Sequence, residues 1–170
     1  MASYEELFAI GERFEAFIAH GLPDEIAGAR TIQARLAEPG VIGDTTRQRI
    51  GRIERRYHLL VAGEMWCPDC QINVTVLDYL QRTQPRIDMA IITKGRAEDD
   101  LRERLELERI PIPVVAVLDE RFQLVGRFIE RPQVVVAGGD ALKPDYRAGL
   151  YLESTLTDLL DILEAAEGRA

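Results

Sequence analysis

Both cysteines of the chain fall in one short run, Trp66-Cys67-Pro68-Asp69-Cys70. Thiols at this spacing interconvert between dithiol and disulfide when the backbone holds them together. A helix start does this well, because its unpaired N–H groups and positive dipole end stabilise the thiolate, the nucleophilic form. The flanking residues suit that placement. Tyr57-His58-Leu59-Leu60-Val61-Ala62 reads as a buried strand, and Ile72, Val76, Leu77 and Leu80 recur at helical spacing. Pro68 fits the first helical turn, where its missing N–H costs nothing. Cys67, nearest the helix start, is the candidate nucleophile, and Cys70 is the thiol that resolves its mixed disulfide. Asp69 adds a negative charge that opposes the dipole and disfavours the thiolate, which predicts a reducing couple.

A half zinc site, or two inert buried cysteines, is the competing reading. Structural zinc takes four Cys or His ligands, and only His20 and His58 are available, neither at ligand spacing from the pair. No bound metal or other cofactor is therefore expected beyond the redox-active Cys67–Cys70 disulfide itself. Glu64 is a candidate proton relay to Cys70 or an exposed loop acid. Trp66 can shape the substrate-facing surface, pack on the helix, or both. His58, on a strand away from the turn, reads as a satisfied structural histidine.

The elements that must position these residues follow from patterning. Leu7, Phe8, Ile10, Phe14, Phe17 and Ile18 predict a first helix that ends near His20-Gly21. Pro23 starts a second, closed by Glu38-Pro39-Gly40, and Asp44 or Thr45 caps a third that runs to about Arg56. Strands follow at 57–62 and 86–93, with the cysteine helix between them. A charged helix is expected over 97–107, then a strand over 113–118, a turn at Asp119-Glu120-Arg121 and a partner strand over 122–129. Val134-Val135-Val136 fits a short strand or a buried connector, and one amphipathic helix is expected from about Tyr146 to Glu164. The whole is an α/β arrangement, a mixed sheet covered by helices.

At 170 residues the chain is most simply one domain with a substantial core. Acidic residues outnumber basic ones by 29 to 21, which argues against nucleic acid as a main partner. Arg47, Arg49, Arg52, Arg55 and Arg56 are interleaved with Ile50, Ile53 and Tyr57, so they read as the wet face of a helix. No stretch approaches the roughly 20 apolar residues that span a bilayer, and the acidic start Ser3-Tyr4-Glu5-Glu6 does not resemble a signal peptide. A membrane partner is therefore not expected. The location is expected to be cytoplasmic, where a close cysteine pair is more often catalytic or metal-binding than a structural staple.

From about residue 57 onward the order of elements resembles the thioredoxin fold. Trp66-Cys67-x-x-Cys70 is similar to the thioredoxin active-site run. Ile112-Pro113-Val114 resembles the family's cis-proline segment, although Pro111 competes with Pro113, and Gly126 falls at its hairpin glycine. The closest likeness is to bacterial thioredoxin-like proteins with a Trp-Cys-x-Asp-Cys core and a helical N-terminus. The resemblance implies a thioredoxin-like core over 57–170 with residues 1–56 as a helical N-terminal extension. It also implies that Cys67 is the exposed sulfur and that a cis Pro113 holds the Ile112 backbone beside the sulfurs, ready to pair with an extended substrate. Two departures stand out. Val61 occupies the position where thioredoxins usually carry a buried Asp, leaving Glu64, Asp69 or water to move the proton. The dipeptide Pro68-Asp69 differs from Gly-Pro, so substrate preference does not carry over. The expected activity is thiol–disulfide oxidoreduction on protein or low-molecular-weight disulfides, with electrons from a dithiol protein or small thiol, since no dinucleotide signature appears. The alternative is a non-catalytic thioredoxin-fold adaptor that binds partners through its helical first third.

Overall fold

The computed structural model describes residues 1–168. Four helices precede the first strand: α1 (Tyr4–Ile10), α2 (Phe14–Ala19), α3 (Pro23–Leu36) and α4 (Asp44–Gly51). Then come β1 (Tyr57–Ala62), α5 (Pro68–Thr83), β2 (Ile87–Ile92), α6 (Lys94–Asp100), β3 (Val114–Asp119) and β4 (Leu124–Ile129). The chain closes through α7 (Gln133–Gly138), a 3-10 turn (Gly139–Leu142), α8 (Lys143–Arg147) and α9 (Leu152–Ala166). The strands form one mixed sheet in the order β2-β1-β3-β4. β1 runs parallel to β2 and antiparallel to β3, and β3 pairs antiparallel with β4. This is the predicted α/β thioredoxin-like architecture.

All six residues of β1 are buried, as a central strand covered on both faces requires. Helix α1 brings Phe8 against the His58 ring of β1, with centroids 5.0 Å apart. α5 and α9 pack against each other and against β2 and β4, and α3 lies along α5. Phe14, Phe17, Ile18, Ile32 and Leu36 from the first third belong to the same apolar core as the strands. Gly126 stands opposite Val117, and a side chain there would run into Ile162 of α9. Only glycine lets α9 cross β4 so closely.

Several expected elements differ in detail. The first predicted helix is two, because the chain straightens at Gly11-Glu12-Arg13. Glu12 exchanges backbone hydrogen bonds with Ile91 at 2.8 and 2.9 Å, pairing with the open edge of β2. The third helix is capped by Gly43 instead of Asp44 or Thr45 and stops at Gly51. The Gly43 N–H donates to the Glu153 carboxylate at 2.6 Å, so a residue of α9 caps this start. Arg47, Arg52, Arg55 and Arg56 are exposed around buried Ile50, Ile53 and Tyr57, but the helix ends at Gly51, so the last three lie beyond it, and half-buried Arg49 pairs with Asp161 and Glu164 of α9. The charged helix begins earlier, where the Thr93 hydroxyl accepts the Arg96 N–H, and gives way after Asp100 to turns that reach positive φ at Glu106. Val134–Val136 are helical, in α7. Pro132 leads into that helix, and tertiary packing of Val135 overrides the weak helix preference of valine. The last predicted helix is interrupted at Gly149, whose φ of 81° ends α8 before α9 starts.

The Gly11–Arg13 segment depends on close approach to β2. A Cβ on Gly11 would lie 2.7 Å from Ala90 Cβ and 3.1 Å from the Ile91 nitrogen. We expect Gly11→Ala to push the segment off the sheet edge and cost about 1–3 kcal/mol in urea unfolding, the usual range for overpacking. An unchanged urea midpoint would show that the edge pairing contributes nothing.

Candidate active site

β1 delivers the chain to the cysteines. The Gly63 N–H still bonds to Ile92 O at 3.1 Å, so pairing with β2 outlasts the strand by one residue. The link from Gly63 to Trp66 then turns into α5 and is pinned on both sides. Met65 is buried, and its carbonyl accepts from Gln71 Nε2 at 2.8 Å. The Cys67 N–H donates to Glu64 O at 3.2 Å. Cys67 is the N-cap of α5 and Pro68 its first residue. The Cys67 carbonyl accepts the N–H groups of Cys70 at 3.0 Å and Gln71 at 3.1 Å, closing the first turn.

Both cysteines are free thiols, so the structure holds the dithiol form. Cys67 retains 7% of its surface and Cys70 none. The expectation of an exposed Cys67 sulfur therefore needs correction. The loop before β3 covers it: the Ile112 carbonyl accepts from the Cys67 thiol at 3.5 Å, and the Ile112–Pro113 bond is cis. Trp66, 61% exposed, is the prominent surface feature beside the pair. Pro111 precedes this cis bond and takes no part in it.

The two thiols have opposite electrostatics. Cys67 is lowered from 9.0 to about 7, first by the hydrogen bond it receives from the Cys70 thiol and further by the Cys70 and Asp69 backbone N–H groups. Burial and the Asp69 charge oppose the shift without reversing it. Cys70 is pushed up, because its proton is engaged by Cys67 and because burial disfavours its charged form. The two environments drive the pair apart, so that one thiol ionises readily and the other keeps its proton.

Asp69 is not the bare charge its sequence position suggests. It is buried, and its carboxylate accepts the Tyr146 hydroxyl at 2.7 Å and Arg131 Nε and Nη2 at 3.2 and 3.3 Å. The Tyr146 hydroxyl in turn accepts Asn73 Nδ2 at 2.8 Å, and Asn73 Oδ1 accepts the Thr155 hydroxyl at 2.7 Å. Arg131 and Tyr146 were not singled out from sequence. They lie 62 and 77 residues from Asp69, and the one signal that points to them is an acid placed where a helix start goes into the core.

Glu64 sends its carboxylate to the Lys94 N–H at 2.8 Å, at the start of α6, while its backbone hydrogen bond favours the Cys70 thiolate. The candidate relay thus meets the pair through its main chain. Val61 is wholly buried in β1, with no acid in its place. His58 stacks on Phe122 at 4.2 Å with Nδ1 2.5 Å from Asp88, a satisfied structural histidine. Among the described residues, no three His, Cys, Asp or Glu side chains stand close enough to hold a metal ion. Among them also, no helix is long and apolar enough to cross a membrane.

A helix that starts on a Cys-x-x-Cys pair, beside a cis-proline loop on a β2-β1-β3-β4 sheet, defines the class. The chain belongs to the thioredoxin family, whose model matches residues 11–143 and so takes in α2–α4 as well as the strands. Over 98% of its length it is 58% identical to a protein of unknown function from Pseudomonas aeruginosa, covering 99% of that chain with a TM-score of 0.95. It also matches an HIV epitope-scaffold at 56% identity, covering 96% of this chain and 99% of that one, with a TM-score of 0.93. No curated protein matches.

The electrostatics predict a pH profile. Thiolate forms as pH rises, so Cys67 reactivity should be gained above about pH 7 and lost below it. At pH 7 such a thiol is about half ionised, against about 1% for one at 9.0. Lower basicity reduces its nucleophilicity about eightfold, which leaves a net gain of about sixfold. Alkylation by iodoacetamide, read by peptide mass spectrometry, should show this midpoint on Cys67 and no reaction at Cys70 in the same range. A Cys67 midpoint near 9 would contradict it.

Proposed function

We propose that the protein is a thiol–disulfide oxidoreductase that works in the reducing direction, with Cys67 as nucleophile and Cys70 as resolving thiol. The observation that carries this reading is the placement of the pair: Cys67 caps the start of α5 with Cys70 in its first turn, and the cis Ile112–Pro113 loop lies 3.5 Å from the Cys67 thiol. In the first step the Cys67 thiolate attacks one sulfur of a substrate disulfide. The substrate S–S bond breaks, a mixed disulfide forms on Cys67, and the departing thiolate takes up a proton. Cys70 then gives up its proton, freed from its hydrogen bond to Cys67, and attacks the Cys67 sulfur. The second substrate thiolate leaves and is protonated. The substrate gains two electrons and two protons, and the protein is left with a Cys67–Cys70 disulfide. A dithiol protein or small thiol in the cytoplasm reverses that last bond.

Substrates are protein or low-molecular-weight disulfides presented across Trp66, Pro68 and the Ile112–Pro113 loop. There the Ile112 carbonyl, now accepting from Cys67, becomes free to pair with an extended segment. A Cys67 thiol near 7, far above the values of strong oxidants, supports the reducing direction. The cover over Cys67 favours a second reading, a thioredoxin-fold adaptor whose thiols do not turn over.

One assay separates the two. We expect the wild-type protein to reduce a model protein disulfide such as insulin with dithiothreitol as electron source, and Cys67→Ser to fall to the uncatalysed rate. Cys70→Ser should accumulate stable mixed disulfides on Cys67, visible as added mass. Wild-type and Cys67→Ser rates that coincide would leave the adaptor.

A further inference from the structure

We propose that Arg131 and Tyr146 are positioning residues for Cys67: they hold the Asp69 carboxylate away from the sulfur and offset its charge, so that an acid inside the Cys-x-x-Cys run does not suppress the nucleophile. This rests on the oxidoreductase reading for its biological use but not for its test.

Asp69 sits two residues past the nucleophile and one before the resolving thiol. A carboxylate near the sulfurs disfavours a thiolate. Here it enters the core. Tyr146, from the short helix α8, donates its hydroxyl from one side, and Arg131, from the β4–α7 connection, brings two guanidinium nitrogens from another. The side chain of Asp69 is 7% exposed and that of Arg131 29%, so the pair lies largely out of water, where an opposite charge is felt strongly. Glu130 also reaches Arg131, at 3.3 Å. Arg127, Asp140, Lys143 and Asp158 line, with Arg131 and Tyr146, a cavity of about 610 Å³. On the other side of Asp69 the groups facing Cys67 are the Cys70 thiol and the uncharged Ile112 carbonyl. Arg131 is thus the cation bound directly to the Asp69 carboxylate. Both donors come from the segment between the hairpin and α9, which gives that segment a chemical role in addition to packing.

Removing Arg131 should leave Asp69 a buried, uncompensated negative charge beside Cys67 and raise the Cys67 midpoint. The test is the pH profile of Cys67 alkylation in Arg131→Met, Asp69→Asn and the double variant, each first checked for a native thermal melt. We expect Arg131→Met to raise the midpoint by up to about one pH unit, less than loss of a cation in contact with the sulfur would, because the arginine acts through the carboxylate. Asp69→Asn should move it down. In the Asp69→Asn background the Arg131 substitution should have no further effect, the sign that the arginine acts through the carboxylate. Arg131→Lys, which keeps the charge but loses the fork, should shift it less than Arg131→Met. Tyr146→Phe should move it up by a smaller amount. A native-like Arg131→Met with an unmoved midpoint, or one that shifts equally with and without Asp69, would overturn the proposal. The readout needs no substrate disulfide. Failure to reduce insulin therefore bears only on the proposed function, and an unmoved midpoint bears only on this inference.

Discussion

One constraint organises this site: α5 begins on Cys67, which puts both thiols within its first turn. That closeness favours the charged form of Cys67 and the protonated form of Cys70, with burial adding to the rise at Cys70. The structure fixes that helix start from several directions. β1 and β2 hold Gly63, Gln71 holds Met65, and the Cys67 carbonyl closes onto the Cys70 and Gln71 N–H groups. Pro68 sets the first helical residue without leaving an unpaired N–H.

The rest of the fold holds that helix start still. The N-terminal third is part of the same core, with α3 along α5 and Glu12 paired to the edge of β2. From the opposite end of the chain, α8 and α9 reach the first turns of α5 through Tyr146, Asn73 and Thr155, a polar chain in which each member is both buried and bonded. Buried polar groups of this kind are costly when unsatisfied and specific when complete. Here they fix the rotation of α5 that aims Asp69 inward and the Cys67 sulfur toward the Ile112 loop.

Much of this was legible in the residues. The Cys-x-x-Cys spacing, the fully apolar run of 57–62 and the helical recurrence of Ile72, Val76, Leu77 and Leu80 are local signals, and they gave strand, turn and helix at the right places. The alternation of strands and helices gave the α/β class. What sequence patterning missed was decided at a distance. The first helix breaks because β2 has an edge to fill, and Gly43 is capped by a carboxylate 110 residues away. The valines at 134–136 are helical because Val135 is the one that finds the core. Asp69 was read as a charge opposing the thiolate because its neighbours in sequence offer it no partner. Arg131 and Tyr146 come from the segment between the hairpin and α9, and no periodicity links them to residue 69. The cover over Cys67 has the same origin, since the Ile112 loop lies 45 residues on.

The central claim is that these two sulfurs open and close a covalent bond in exchange with outside thiols. A redox titration tests it most directly: equilibrate the protein across dithiothreitol buffers of stepped potential, quench with acid, alkylate, and count free thiols by mass. The account predicts one reversible two-electron transition confined to Cys67 and Cys70, at a potential about as low as the −270 mV of thioredoxin. Thiols that stay reduced across the whole range would contradict it, as would a transition near the roughly −120 mV of a strong disulfide donor.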